Sequence, residues 1–228
     1  MNADARRKPE LPRVDAMTAW QDAAVAEWHA DRRRSEDELE SRGWSSGPTG
    51  SGLGAAIGRE HLTNIRLWHE EDEARRPDVD DTVIAGVKRR IDGLNQRRND
   101  LIESIDEALA ETLGAMETEP RPGSRMHSET PGAIIDRLSI LALKIFHMRE
   151  EAERGDASSG HRAECAARLE VLARQRADLV TCLEELQRDL ASGRARFRTY
   201  RQFKMYNDPE TNPALRMARR AGGRREGE

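Results

Sequence analysis

One segment, residues 129–149, constrains this chain more than any other, because it is apolar on almost every side of a predicted helix. Its sequence is ETPGAIIDRLSILALKIFHMR, and a helix that is hydrophobic nearly all round has to be buried. Thr130 is an N-cap residue with Pro131 at the first helical position, and Gly155 follows the charged residues 150–154 that would end the helix. The segment therefore predicts a central helix with other helices packed around it.

Four further segments repeat their apolar residues at helical spacing, over about 15–40, 59–76, 82–113 and 160–190. No alternating pattern predicts a strand. The fold class is therefore all-α, a bundle of four to five long helices with Gly- and Pro-rich connections and disordered termini. Along the chain we expect a disordered N-terminus (1–13), an N-terminal helix (14–42), a flexible loop (43–58), a helical domain (59–212) and a basic disordered tail (213–228).

Composition narrows the class of function. Charged residues of both signs make up 35% of the chain, which is typical of solvated helix faces. The net charge of -4 gives no basic field, so nucleic-acid binding is expected only weakly, through the tail sequence RMARRAGGRRE. There is no apolar run of about 18 residues and no signal peptide. We expect a cytoplasmic protein without a membrane span, and self-association through its leucine and tryptophan faces to a homo-oligomer.

Two arginines interrupt the apolar faces of their predicted helices. Arg98 lies within the third helix and Arg176 within the last long one. A buried guanidinium is costly unless it meets an acid or an anionic ligand, so both residues imply partners. Within the chain the candidate acids are Glu71, Asp72, Asp92 and Asp136. Pairing with these acids would fix helix register, whereas an unpaired arginine would mark a binding site.

Polar residues also lie on or beside the apolar arcs of three helices, so folding should bring them into one cavity. This arrangement favours a pocket for a small anionic ligand, such as a phosphorylated sugar or a nucleotide-like molecule. The residues expected to transfer protons are His69, Asp72 and His147. The residues expected to hold the ligand are His61, Trp68, Arg75, Asp92, Asn95, Arg98, Asn99, Arg137, Lys144, Tyr206 and Asp208.

Two kinds of metal site can be weighed against that pocket. Glu71 and Asp72 on one helix, with Glu103 and Asp106 on another, would offer hard oxygen ligands suited to Mg²⁺ as a cofactor. Their pattern is similar to the carboxylate pairs of all-α nucleotide pyrophosphatases of the MazG type. A histidine site for iron or zinc is not favoured by the sequence, because neither His-Glu-x-x-His nor a repeated Glu-x-x-His occurs.

Four ordered blocks carry a resemblance to a known family: RLWHEEDEARR (66–76), KRRIDGLNQRRNDLIESID (88–106), ETPGAIIDRLSILALKIFHMREE (129–151) and FKMYNDPETNPAL (203–215). Over roughly residues 60–215 the chain resembles the bacterial family DUF4254, whose function is unknown. Members of that family often accompany glycosyltransferases of cell-surface polysaccharide synthesis, so the resemblance implies a sugar or phosphosugar substrate.

Three functions therefore remain open at the level of sequence. The leading hypothesis is an enzyme or binding protein for a small anionic ligand, in cell-surface polysaccharide metabolism. The first alternative is a non-catalytic helical scaffold or accessory subunit, in which the intruding charges are interhelical ion pairs. The second is a metal-dependent hydrolase similar to the nucleotide pyrophosphatases.

Overall fold

The computed structural model describes residues 10–30, 44, 52–203, 205 and 208–222. Within these residues the chain forms six α-helices and one pair of two-residue strands, which confirms the predicted all-α class. None of the helices described is long and apolar enough to span a membrane. The helices are α1 (Val14–Ala30), α2 (Leu53–Glu73), α3 (Asp81–Ala115), α4 (Pro131–Glu153), α5 (Ser159–Ala191) and α6 (Pro213–Gly222).

Helix α4 is the predicted central helix, and it contacts α1, α2, α3 and α5. Its start follows the expected capping pattern, since the Thr130 side chain accepts a hydrogen bond from the backbone N–H of Ala133 at 3.2 Å and Pro131 is the first helical residue. Ile135 and Leu138 are completely buried. The segment that the sequence marks as apolar all round is therefore surrounded by other helices.

Two apolar clusters hold α4 to its neighbours. The larger cluster joins α1, α2, α3 and α5 around the first half of α4. The smaller one lies further along α1, α2 and α4, where it packs beside several histidines. Its buried members are Ala24, Val25, Trp28, Leu62, Ile65, Ala142 and Leu143.

Helix α2 begins at Leu53 and not near Arg59, so the last part of the predicted flexible loop is helical. Leu53 and Ile57 are completely buried, and burying them stabilises this extra turn. Gly54 permits a close approach, because an added Cβ would lie 2.6 Å from the carbonyl oxygen of Trp44. The rest of that loop, apart from Trp44 and Gly52, and the predicted continuation of the first helix beyond Ala30 lie outside the described residues.

Two further boundaries differ from the sequence prediction. The strands β1 (Arg125–Met126) and β2 (Ala195–Arg196) form a parallel pair, and each is too short to show an alternating pattern. Helix α6 occupies the start of the tail that was predicted to be disordered. The Asn212 side chain accepts a hydrogen bond from the backbone N–H of Ala214 at 2.9 Å, and Pro213 is the first residue of the helix.

The contact between α3 and the start of α4 gives a test of the packing. An added Cβ on Gly132 would lie 2.7 Å from the carbonyl oxygen of Ile102 and 2.8 Å from Oδ1 of Asp106. We expect Gly132→Ala to lower the free energy of unfolding by about 1–3 kcal/mol, because these atoms cannot move aside cheaply. Gly93→Ala is the matched control within α3, since nothing lies within 4 Å of its added Cβ. That control should stabilise by about 0.5–1 kcal/mol, and equal effects in chemical denaturation would contradict this packing.

Candidate functional site

An open groove of about 460 Å³ lies between α2, α3 and α4. It brings together the predicted catalytic residue Asp72 and the predicted ligand residues Trp68, Arg75, Asn95 and Arg98. The full lining is Asn64, Leu67, Trp68, Glu71, Asp72, Arg75, Asn95, Arg98, Ile140 and Leu143. Because polar groups of both signs border apolar and aromatic surface here, the groove has the mixed character of small-molecule sites.

Arg98, at the wall of the groove, is held by Asp136 of α4. Its Nε donates to Oδ1 of Asp136 at 2.6 Å and its Nη2 donates to Oδ2 at 2.5 Å. The Asp136 side chain is only 7% exposed, whereas that of Arg98 is 25% exposed. Burial opposes ionisation of Asp136, but the hydrogen bonds and charge of Arg98, together with hydrogen bonds from Glu60 and Asn64, outweigh it and lower the pKa of that carboxyl. Arg98 thus has the acidic partner that the sequence required.

A buried polar network lies behind that ion pair. Burial and the negative charge of Asp136 raise the pKa of Glu60 well above its usual range, so Glu60 is protonated and donates a hydrogen bond to Asp136. The Asn64 amide donates to Glu60, to Asp136 at 3.1 Å and to the Ser139 hydroxyl at 2.9 Å. With Glu60 neutral and Asp136 paired to Arg98, the network carries no net charge.

His61 belongs to the core and does not line the groove, although the sequence placed it among the ligand residues. Its Nε2–H donates to the carbonyl oxygen of Gln21 at 3.0 Å, and its Nδ1 accepts from the Ser139 hydroxyl at 2.8 Å. Burial lowers the pKa of His61 to about 4, so the ring is neutral near pH 7. Both ring nitrogens are satisfied, and the residue links α1, α2 and α4.

Three other histidines converge beside the smaller apolar cluster. His29 of α1, His69 of α2 and His147 of α4 each place one ring nitrogen within 4.8 Å of the other two. Their rings are close as well, with centroid distances of 5.1 Å for His29 and His69 and 4.8 Å for His29 and His147. Two members, His69 and His147, were predicted as proton-transferring residues, and His29 was not. We call these three residues the histidine cluster.

Each histidine of the cluster stacks on an aromatic residue from another helix. Trp28 of α1 stacks on His69 at 4.3 Å, and Trp68 of α2 stacks on His147 at 4.8 Å. Phe146 of α4 stacks on His29 at 4.5 Å. Since Trp68 also lines the groove, the groove and the histidine cluster share this indole as a common wall.

Hydrogen bonds fix two of the imidazoles. Nδ1 of His29 lies 2.7 Å from the carbonyl oxygen of Val25, and Nδ1 of His147 lies 2.9 Å from a carboxylate oxygen of Glu150. The Nε2 atoms of His29 and His147 are buried and make no hydrogen bond within the described part of the chain. Burial also lowers the pKa of His147, which disfavours the charged form of this ring. An unsatisfied buried polar atom costs about 1–3 kcal/mol, so these two nitrogens call for an explanation.

The predicted single pocket does not form, because several of its residues lie elsewhere on the surface. Asp92 pairs with Lys88 one turn away, and Arg137 pairs with Glu129 at 2.6 Å. Lys144 is exposed, and Asp208 accepts from the backbone N–H of Glu210 within an exposed turn. Lys88 and Asp92 thus belong to an ordinary solvated face of α3, where ion pairs one turn apart are favoured. Tyr206 lies outside the described residues.

The four acids proposed as a magnesium site are divided between two grooves. Glu71 and Asp72 line the groove described above, whereas Glu103 and Asp106 line a second one of about 420 Å³ together with Asn99. Asp106 accepts from the backbone N–H of Gly132 at 2.7 Å, and burial raises its pKa to about 6. Glu103 accepts from the backbone N–H of Gln202 at 2.8 Å. These two acids therefore anchor backbone, and the four do not meet at one ion.

A sequence signal for the histidine cluster exists, although helical periodicity does not reveal it. Each member directly follows an aromatic residue: Trp28–His29, Trp68–His69 and Phe146–His147. The other histidines, His61, His127 and His161, do not. In a helix, adjacent side chains point about 100° apart. The aromatic residue and the histidine of each pair can therefore both lie on the side of their helix that faces the neighbouring helices.

The model of a family described as "Protein of unknown function (DUF4254)" matches residues 55–199, which is more than half of the 228-residue chain. This range contains the first three of the four sequence blocks that suggested the resemblance, and the block at 203–215 lies beyond it. No curated protein and no solved structure gives a significant match.

The protonation of Glu60 predicts how the stability of the protein depends on pH. Glu60 retains its proton in the folded chain above the value of 4.5 at which it would ionise when unfolded. Its contribution to stability is therefore complete below about pH 4.5 and is lost as the pH rises through its folded pKa. Glu60→Gln keeps a neutral side chain that accepts from Asn64 and donates to Asp136, so it should be spared this loss.

We expect the free energy of unfolding of Glu60→Gln, relative to the native chain, to increase between about pH 5 and pH 8. Chemical denaturation across this range measures it. Glu164→Gln is the control, because Glu164 is exposed and its ion pair in the described part of the chain is with Arg168, one turn away. A relative stability of Glu60→Gln that stays constant with pH, as in the control, would show that Glu60 is ionised in the folded protein.

Proposed function

We propose that this chain, which belongs to the DUF4254 family of proteins of unknown function, binds a small anionic ligand in the groove between α2, α3 and α4. The observation that supports this most is the placement of Arg98. Asp136 engages its Nε and Nη2 atoms, and no hydrogen bond within the described residues uses Nη1. A guanidinium has five donors in a planar fork, so the edge formed by Nη1 and Nη2 can still bind a phosphate or carboxylate.

The buried network prepares Arg98 for that task. Because Asp136 holds the guanidinium in place, little side-chain entropy is lost when an anion binds. The protonation of Glu60 is important too, since a second buried carboxylate would attract Arg98 inward and repel an anionic ligand. Arg75 offers a second cation at the groove, and its exposed pair with Glu71 is weak enough to exchange for a phosphate.

The rest of the lining favours a phosphorylated sugar among anionic ligands. The carboxylates of Glu71 and Asp72 can accept hydrogen bonds from sugar hydroxyls, and the amide of Asn95 can both donate and accept. Trp68 offers an aromatic edge against which the apolar side of a sugar ring can pack. A role in cell-surface polysaccharide metabolism fits this ligand class and remains a prediction from the family resemblance.

Calorimetric titration of the full chain with a panel of sugar phosphates, each beside its unphosphorylated sugar, tests the proposal. We expect binding of at least one phosphorylated member and not of its free sugar. Arg98→Gln should weaken that binding by about 10-fold or more, because a charge-assisted contact is lost. The control Arg89→Gln changes an exposed arginine of the same helix and should bind like the native chain. Equal affinity for Arg98→Gln and Arg89→Gln, or no binding by any sugar phosphate, would refute the proposal.

A scaffold is the second candidate, because the other intruding arginine is held by another helix of the protein. Nη1 of Arg176 on α5 lies 2.6 and 2.8 Å from the Asp22 carboxylate oxygens on α1, and Nη2 donates to the carbonyl oxygen of Thr18 at 2.8 Å. Its side chain is 13% exposed. This residue fixes the register of two helices, and in the scaffold hypothesis Arg98 does the same.

A paired substitution separates the two functions. Arg98→Gln alone strands the buried Asp136 charge and should cost about 3–5 kcal/mol of stability in either case. Arg98→Gln with Asp136→Asn removes both charges, and its two amides can still bond to each other, so most of that loss should be recovered. For a ligand site, the double variant is stable but does not bind sugar phosphates. For a scaffold, the native chain binds none either.

A further inference from the structure

The structure assigns a second site beyond the anion groove: we propose that His29, His69 and His147 bind one divalent transition-metal ion. One ring nitrogen of each residue lies within 4.8 Å of the other two, and the three side chains come from α1, α2 and α4. Within the described residues this is the one group of three or more potential metal ligands brought so close together. Because the three histidines come from different helices, the packing of these helices brings their ring nitrogens together.

The hydrogen bonds of His29 and His147 leave the Nε2 atom of each ring available to a metal ion. A carbonyl oxygen can only accept, so Nδ1 of His29 carries the proton in its bond to Val25, and Nε2 is left with a lone pair. His147 in the same tautomer donates from Nδ1 to the Glu150 carboxylate, which also leaves a lone pair on Nε2. Metal-binding histidines usually donate their second ring nitrogen to a backbone carbonyl or a carboxylate, and each of these histidines has one such partner.

The two Nε2 atoms are also buried and unbonded within the part of the chain described. Simple aromatic packing does not account for that, because phenylalanine would fill the same space without a buried polar atom. A metal ion would bind both lone pairs at once. His69, stacked on Trp28 at 4.3 Å, supplies the third ring.

The geometry fits an ion with only small adjustment. Tetrahedral zinc with Zn–N bonds of about 2.0–2.1 Å separates its nitrogen ligands by roughly 3.4 Å. From a spacing of at most 4.8 Å, each nitrogen would move inward by about 1 Å, which small side-chain rotations can supply. The stacking partners Trp28, Trp68 and Phe146 allow sliding in the ring plane while they resist larger rotations.

The donor set identifies the class of metal. Three imidazoles without a thiolate suit zinc and the neighbouring late transition ions, whereas magnesium and calcium prefer oxygen ligands. Three protein ligands leave a fourth tetrahedral position for water or another small ligand, as in catalytic and not in structural zinc sites. His161, which contacts Glu151 and the buried Cys165, joins α4 to the start of α5. The His161 and Glu151 side chains are 42% and 40% exposed, and these three residues do not form a group as close as the histidine cluster.

Titration of the metal-stripped full chain with Zn²⁺ and with Co²⁺ tests the assignment. We expect one ion per chain, a rise in melting temperature with Zn²⁺, and the strong visible absorption of tetrahedral Co²⁺. His29→Phe, His69→Phe and His147→Phe keep the stacked rings and remove one ligand each. Each should lower the affinity by about 100-fold or more, since the loss of an outer partner alone costs about 10- to 100-fold. Glu150→Ala, which removes only such a partner, should fall between these variants and the native chain.

Two control variants replace histidines that do not belong to the cluster. His127→Ala and His161→Ala each remove a histidine outside the cluster, and His161 is the one that contacts Glu151 and Cys165. Both variants should bind Zn²⁺ like the native chain. The proposal is overturned if the native chain binds no ion, if the three phenylalanine variants bind as the native chain does, or if His161→Ala alone abolishes binding. Far-UV circular dichroism shows whether each variant is folded. If a histidine variant is unfolded, the affinity of Glu150→Ala for Zn²⁺ is the test in its place.

Discussion

The burial of one carboxylate, Asp136, in the central helix determines how the helices around it are placed. Helix α4 is apolar nearly all round, so the Asp136 charge in its first half is almost completely buried and must be neutralised by its neighbours. Arg98 reaches it from α3, while Asn64 and the protonated Glu60 reach it from α2. These contacts require fixed distances among three helices, and the groove is the space left where the helices diverge around them.

Helix α4 meets its neighbours through two polar regions of different character. In the first, around Asp136 and Ser139, hydrogen bonds link Arg98, Asn64, Ser139 and His61, and the protonation of Glu60 removes the surplus charge. In the second, around His147, hydrogen bonds orient the rings but leave buried nitrogens without partners. Trp68 separates the two regions, since one part of its indole borders the groove and a ring face stacks on His147.

Helical periodicity predicted the parts of the fold that depend on a single helix. It predicted the central helix with its Thr130 cap, and it placed Asp136 among the acids that could pair with Arg98. It could not tell His61 from His69, because both lie on inward faces of α2 and only the neighbours of each face decide its role. His61 meets a hydroxyl and a carbonyl, whereas His69 meets other histidines. The start of α2 at Leu53 is not evident from the sequence, because the high glycine content of residues 43–58 predicts flexibility, whereas Gly54 permits a close contact with Trp44.

The two polar regions differ in how much of their hydrogen-bonding capacity remains available to a ligand or an ion. A buried polar group that the protein satisfies by itself stabilises one arrangement of helices and has little left to offer a ligand. Arg98 is intermediate, because one edge of its guanidinium is fixed and the other is not engaged. The histidine cluster is the extreme case, since stacking and Nδ1 hydrogen bonds hold the rings of His29 and His147, while their Nε2 atoms make no hydrogen bond within the described residues. A rigidly supported ring nitrogen with no protein partner can bind an ion with little reorganisation, and here the sequence supplies the rigid support three times, each time as an aromatic residue followed by histidine.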